Sequence, residues 1–465
     1  WERFYAGSGV ALYDTLLTLG SLQGERSVPR FRSLTRRGAL RLAPGLRKDA
    51  LIGALQYFDA QVDDARHTMM LARTAAAYGA TCATGTQVTG FLREGERVAG
   101  VQVTDLETGE KFDVRARVVI NATGVWTDET QELASNRGRF QVKASKGIHL
   151  VVPRDRIQLD TGLILRTEKS VLFVIPWGRH WIVGTTDTDW TLSKSHPAAS
   201  SSDIDYVLDH VNGVLVTPLT REDVEGVYAG LRPLLSGESE DTSLLSREHS
   251  VEVPVPGLVV VAGGKYTTYR VMAKDAVDRA ARVLDFTVPP CVTEDVPTLG
   301  AEGYSALVNR RHALATASGL HVARIDHLLG RYGNRAEDVL AMLAEHPDLA
   351  RPLPNADDYL EIEVRYSALA EGALHLDDIL TRRTRISIEC FDRGLAAAER
   401  AVEIMGEALG WDEQRRRDEL DYYRGRVAAE RDSQTQPDDT TADAVRMGDG
   451  TSFGLGAAEA LVRNG

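Results

Sequence analysis

Leu258-Val259-Val260-Val261-Ala262-Gly263-Gly264-Lys265-Tyr266-Thr267-Thr268 is the stretch on which the fold turns. Leu258 to Ala262 is an apolar run of strand length, suited to a strand buried on both faces. Two glycines follow, and the segment after them reads as a helix to about Leu284, before the Pro289-Pro290 boundary.

Glycine lets the backbone approach a ligand closely. A helix N-terminus offers unpaired N–H groups and a positive partial charge, and Lys265 adds a full charge there. Gly263, Gly264 and Lys265 therefore make a seat for electron-rich oxygens, either of a phosphate or of the O2/N1 edge of a reduced flavin. A Walker A loop is excluded, because Gly-x-x-x-x-Gly-Lys-Ser/Thr fails at both ends. The competing reading is a tight βα turn with an exposed lysine.

Upstream, residues 63 to 80 read as a helix opened by Asp63 and Asp64. A meander follows, with strands Val88 to Phe91, Val98 to Val103 and Val114 to Ile120. The last strand is nearly all apolar and is expected to be buried on both faces. It ends in Asn121-Ala122-Thr123-Gly124, small residues that let a planar ligand lie across a sheet edge. A second β region, about Phe140 to Val253, contains strands Gly162 to Thr167, Ser170 to Ile175 and His180 to Thr185. It also carries a helix after Ser202, read as the N-cap.

Within that region, Lys146-Gly147-Ile148-His149 brings a histidine into a strand after a glycine, where it can accept a proton. A strand-edge histidine with a structural hydrogen bond is the alternative. Arg232 and Arg247 each end a strand-like run, and two converging guanidinium forks would make a strong anion site. Asp187 and Asp189 lack further spaced ligands, so they read as a turn and no metal site is expected. Gly7-Ser8-Gly9 and Gly454-Leu455-Gly456 do not complete a dinucleotide fingerprint. Arg382-Arg383-Thr384-Arg385 reads as a solvated or interface face near a helix end.

The 465 residues are 43% hydrophobic and 26% charged, which excludes global disorder. With 67 Asp+Glu against 54 Lys+Arg, the chain is not built for nucleic acid. Cys82, Cys291 and Cys390 are too scattered for a zinc site and fit a reducing compartment. No stretch approaches the ~18 apolar residues of a membrane span. A cytoplasmic protein with room for membrane-surface contact is expected.

Taken in order, Ile120 to Trp126, Lys146 to His149, Gly184 to Asp187, Tyr228 to Pro233, Ser246 to Glu248, Gly263 to Arg270 and Asp377 to Thr384 closely resemble FAD-dependent glycerol-3-phosphate dehydrogenase of the bacterial aerobic type, the actinobacterial members most of all. The resemblance covers about residues 1 to 430. It implies an α/β plus α architecture: a D-amino-acid-oxidase-like FAD domain, an inserted antiparallel substrate domain and a C-terminal helical domain. The corresponding divisions are 1–62 and 63–135 for the FAD side, 136–253 for the substrate domain and 254–288 for the return to the FAD domain. They continue with 289–431 for the helices and 432–465 for a flexible tail.

The resemblance implies oxidation of sn-glycerol 3-phosphate to dihydroxyacetone phosphate. FAD would accept the hydride and a membrane quinone the electrons, in a homodimer peripheral to the inner face of the cytoplasmic membrane. In that scheme His149 takes the hydroxyl proton, and Arg232 and Arg247 clamp the phosphate or hydroxyls. Lys265, with Thr267 and Thr268, supports the flavin N1/O2 edge. Ala122, Thr123, Gly124, Trp126, Gly263, Gly264 and Tyr266 line the flavin, and Val88 meets the adenine through its backbone. The alternatives are an oxidase that uses oxygen, or a flavin-free chain acting as a binding or assembly module.

One departure stands out. The family opens with a βαβ unit bearing Gly-x-Gly-x-x-Gly, whereas this chain begins at Trp1-Glu2-Arg3 without one. The expectation is that these residues are part of a longer enzyme and that by themselves they hold FAD weakly.

Overall fold

The computed structural model describes residues 7–12, 14–16, 29–134, 141–167, 171–235 and 248–448. Leu258–Gly263 is a strand with every residue buried. It lies between His249–Val255, which runs antiparallel to it, and Val119–Asn121, which runs parallel. Parallel pairing sets Val260 opposite Asn121, so both strands end on the same side of the sheet. The two small-residue turns, 122–124 and 263–265, therefore meet although about 140 residues separate them in the chain.

The expected strand Val114 to Ile120 is two strands. Lys111–Arg115 joins the meander formed by Thr86–Glu94 and Arg97–Asp105, and it is exposed along its whole length. Only Val119–Asn121 enters the parallel pair, and Ile120 keeps 39% of its surface exposed. The apolar run overstated burial because it straddles two sheets, with Ala116 N–H donating to the Ala99 carbonyl at the crossing.

The second β region is a six-stranded antiparallel sheet centred on the twelve-residue strand Val142–Pro153. Its neighbours include His180–Gly184, Thr188–Trp190 and Gly226–Leu235. Alternation sorts its side chains. Ile148, Leu150 and Val152 are fully buried on one face, against Trp181, Val183 and the helix Ser201–Asn212. Ser145, Gly147 and His149 lie on the other. The cap of the helix is Ser200 rather than Ser202, because Asp203 completes a reciprocal capping box with Ser200.

Helices between Tyr304 and Ser433 enclose a third core around Ile325, Val339, Ile362 and Met405. The helix Asp64–Ala77 is pinned to them by Arg66, which forks onto Glu371 at 2.6 and 2.8 Å and stacks over the Tyr332 ring. Irregular chain at 372–375 leads into a π-helical segment, Asp378–Arg383. The expected flexible tail, 432–465, is helical over much of its described part, while 449–465 lie outside the described residues. Glu413–Ser433 is a long helix, and Asp439–Met447 forms another, capped by the Asp438 side chain and with Ala442 wholly buried. Polar composition concealed that burial, since a single small apolar residue supplies the contact. Gly454-Leu455-Gly456 lies outside the described residues.

Candidate functional site

Register places His149 opposite Tyr228 and Gly184, and Ser145 opposite Arg232, all on the face of the sheet away from its core. The imidazole stacks on Tyr228, ring centroids 5.0 Å apart and planes within 16°. Burial first, and the Arg232 charge second, push the His149 pKa down to about 4, with Asp64 pulling weakly the other way. His149 is therefore neutral at pH 7 and able to accept a proton.

Arg232 donates to the Thr185 hydroxyl at 3.0 Å and to the Thr186 carbonyl at 3.3 Å, and it faces Asp187 at 3.8 Å. Asp187 also accepts from Ser145. Asp187 thus orients the arginine from within the protein, and Thr188–Trp190 beyond it is a strand. No cluster among the described residues could hold a metal ion. Gly147 is needed for clearance, since a Cβ there would run into the Arg232 guanidinium and the Thr185 hydroxyl. Arg247 lies outside the described residues.

The strand Gly226–Leu235, which carries Arg232, touches both the turn Gly124–Trp126 and the strand Leu258–Gly263. Its Leu235 packs so closely on the diglycine that a Cβ on Gly263 would fall 2.8 Å from it and 2.6 Å from the Glu248 carbonyl. Gly263 and Gly264 have φ of 76° and 85°, which side chains disfavour. The Asn121 side chain accepts from the Thr123 N–H at 3.1 Å and its hydroxyl at 2.7 Å, bracing the Ala122-Thr123-Gly124 turn. Lys265 is exposed beyond the strand end, and its carbonyl accepts from the Thr268 N–H and hydroxyl, each at 3.0 Å.

Trp126 and Tyr266 remain 44% and 42% exposed at these turns. Two positive-φ glycines, small residues at two adjacent strand ends, and uncovered aromatic rings fit the isoalloxazine end of a flavin. Val88 is not part of this group: it stands on the outer strand of the meander, opposite Val103. Tyr266 is turned partly away as well. Its hydroxyl meets His67 Nδ1 at 2.7 Å and donates to the Asp64 carbonyl at 3.3 Å.

Four contributors were not anticipated. Asp63 caps its helix through the Arg66 N–H and receives Arg385 at 2.7 Å; Arg385 also reaches Asp64 at 2.7 Å. Burial would raise the Asp63 carboxyl, but Arg385 and Arg331 outweigh it and hold the group below the usual carboxylate range. Arg385, set aside in a basic cluster, thus ties the helical region to the site. Arg382 and Arg383 from the same cluster are satisfied locally by Asp377, Asp378 and the Glu371 carbonyl. His67 stands one turn into the helix. Tyr228 precedes Arg232 by four residues, and strand alternation alone would have put both on one face.

The profile for FAD dependent oxidoreductase matches residues 8–279, and that for the C-terminal domain of alpha-glycerophosphate oxidase matches residues 291–416. Glycerol-3-phosphate dehydrogenase 2 of Mycobacterium tuberculosis is 58% identical over 446 residues, covering 96% of this chain and 75% of that protein. The mitochondrial glycerol-3-phosphate dehydrogenase of Homo sapiens is 33% identical, over 91% of this chain and 59% of its own length. The glycerol-3-phosphate dehydrogenase of Bacillus halodurans, solved complexed with FAD, matches with a TM-score of 0.75 at 27% identity, over 85% of this chain and 79% of that one. The fold, the paired strand-end turns and these matches agree: the chain belongs to the FAD-dependent glycerol-3-phosphate dehydrogenase family.

Proposed function

We propose that this chain oxidises sn-glycerol 3-phosphate to dihydroxyacetone phosphate with FAD and passes the electrons to a membrane quinone. The observation that carries the reading is a juxtaposition. His149, Tyr228 and Arg232 share one sheet face, and the strand bearing Arg232 abuts both turns that fit a flavin. When bound, FAD supplies a hydride acceptor.

The chain's own residues do the rest. The neutral imidazole of His149 takes the proton of the substrate 2-hydroxyl. Arg232, held by Thr185, Thr186 and Asp187, pairs with the substrate phosphate. The Gly263-Gly264-Lys265 turn, with Thr267 and Thr268, would oppose negative charge at the flavin edge, and Ala122, Thr123, Gly124 and Trp126 would line the flavin. Arg247 is the second phosphate ligand in this reading. No helix among the described residues is long and apolar enough to cross a membrane. The proposal also takes in contact with the inner face of the cytoplasmic membrane, as a peripheral homodimer.

Anaerobic addition of glycerol 3-phosphate to the holoenzyme is expected to bleach the flavin absorbance. A quinone analogue should restore it without peroxide. Flavin that stays oxidised would sink the substrate assignment, and stoichiometric peroxide in air would move the enzyme to the oxidase reading.

The histidine makes a separate prediction. In the free protein His149 should titrate near 4, and the midpoint should rise once a phosphate ligand offsets Arg232, while burial keeps it below the ordinary 6.5. Its folded value is depressed. The stability linked to the neutral form is therefore complete above 6.5 and lost as pH falls toward 4, while the folded imidazole itself protonates only as pH nears 4. An NMR titration of the imidazole checks this, and a midpoint near 6.5 in the free protein would contradict it.

A further inference from the structure

The helix Asp439–Met447 begins more than twenty residues past residue 416, where the matched C-terminal profile stops. It nevertheless reaches the back of the site. Lys146 is the one charged residue on the core-facing side of the central strand, between Ser145 and Gly147, and its side chain is 0% exposed. A buried ammonium needs compensation. Lys146 Nζ meets Asp203 at 2.6 Å and the Ala198 carbonyl at 3.3 Å, and it takes its third partner, Asp439, from the C-terminal helix. The Trp190 ring lies 5.0 Å from the ammonium.

One turn further along the same helix face, Ala442 is fully buried in a cluster with Val125, Ala144, Trp190 and Ala198, against which Leu231 packs. Two of those contacts matter. Val125 is the centre of the turn Gly124–Trp126. Leu231 precedes Arg232 and sits directly across from Lys146 in the register. The segment is also anchored before the helix starts, where the Ser201 N–H donates to the Gln436 carbonyl at 2.7 Å.

We propose that Asp439 and Ala442 are positioning residues: through the Asp439–Lys146 pair and the cluster in which Ala442 packs with Val125 and Leu231, the C-terminal helix sets Arg232 and the Gly124–Trp126 turn relative to each other. This rests on reading those two elements as the substrate and flavin sides. The polar tail thus couples two parts of the site that belong to different sheets, and a loose strand there displaces the arginine rather than unfolding the molecule.

The test uses the holoenzyme with Asp439→Asn, Asp439→Glu and Ala442→Val. Asp439→Asn keeps the side-chain shape and removes the charge. Hydrogen exchange in residues 142–147 and 226–235 should rise selectively in it. KM for glycerol 3-phosphate should rise about tenfold while kcat changes less. Asp439→Glu should restore most of both. Ala442→Val, which keeps the ion pair, approaches the same strands from the cluster and should shift the same two readouts.

Wild-type exchange and KM in both Asp439→Asn and Ala442→Val would overturn the proposal. So would exchange that rises uniformly with a lower Tm. If the unaltered holoenzyme fails to oxidise glycerol 3-phosphate, the function reading falls, but the local exchange pattern still decides the role of the helix.

Discussion

Arg232→Ala is expected to lower kcat/KM for glycerol 3-phosphate by at least about 30-fold, the cost of roughly 2 kcal/mol for losing a charge-assisted contact with the substrate anion. The geometry explains why the loss should be specific. Arg232 is held by two oxygens of Thr185 and Thr186 and aligned by Asp187, so its orientation is set before the ligand arrives. Gly147 keeps the space beneath the guanidinium clear. Lysine at this position would keep the charge but lose the planar fork, and should recover only part of the activity. Steady-state kinetics with Arg232→Ala and Arg232→Lys decide it. A change below about threefold in the alanine variant would remove Arg232 from the phosphate site.

Glu371→Ala should produce the largest loss of stability. The Glu371 side chain is fully buried, accepts both arms of Arg66, and lies 3.4 Å from Arg73. Removing it leaves the Arg66 guanidinium, 5% exposed, without its carboxylate. Breaking a buried pair from one side costs about 3–5 kcal/mol. Thermal unfolding should move down by about 10 °C, given a shift of ~2–4 °C per kcal/mol for domains of this size. The same change frees the helix Asp64–Ala77, whose first turn carries Asp63, Asp64 and His67 beside the site, so KM should rise as well. Calorimetry on the holoenzyme is the measurement, and a Tm within about 2 °C of the parent would refute the clamp.

Much of the site was legible because its chemistry is local. Leu258 to Lys265 shows a buried strand, a glycine turn and a cation within eight residues, and the structure keeps that order. Asn121 to Gly124 was read for its small residues, and it forms the turn on the neighbouring strand. His149 and Arg232 were singled out by residue type, but their shared face follows from register, which pairs residues some 80 positions apart. The meeting of Asp63 and Asp64 with Arg385 was not legible, because a helix cap and a basic cluster look the same in sequence whether they meet solvent or each other.

The segment 439–447 is the clearest contrast. Its composition is polar, and sequence alone gave no reason to order it. Its first turn supplies Asp439 to Lys146, nearly 300 residues upstream, which needs a counter-charge once the sheet has buried it.

Strand alternation, glycine turns and helix caps act over a few residues, so the amino-acid sequence by itself determined the buried strand, the two turns and the types of residue available for proton transfer and anion binding. Which of those residues meet, which charges are buried, and which distant helix supports them depends on long-range pairing and desolvation. Those energies exist only after the chain has closed on itself, and only the tertiary structure decided them.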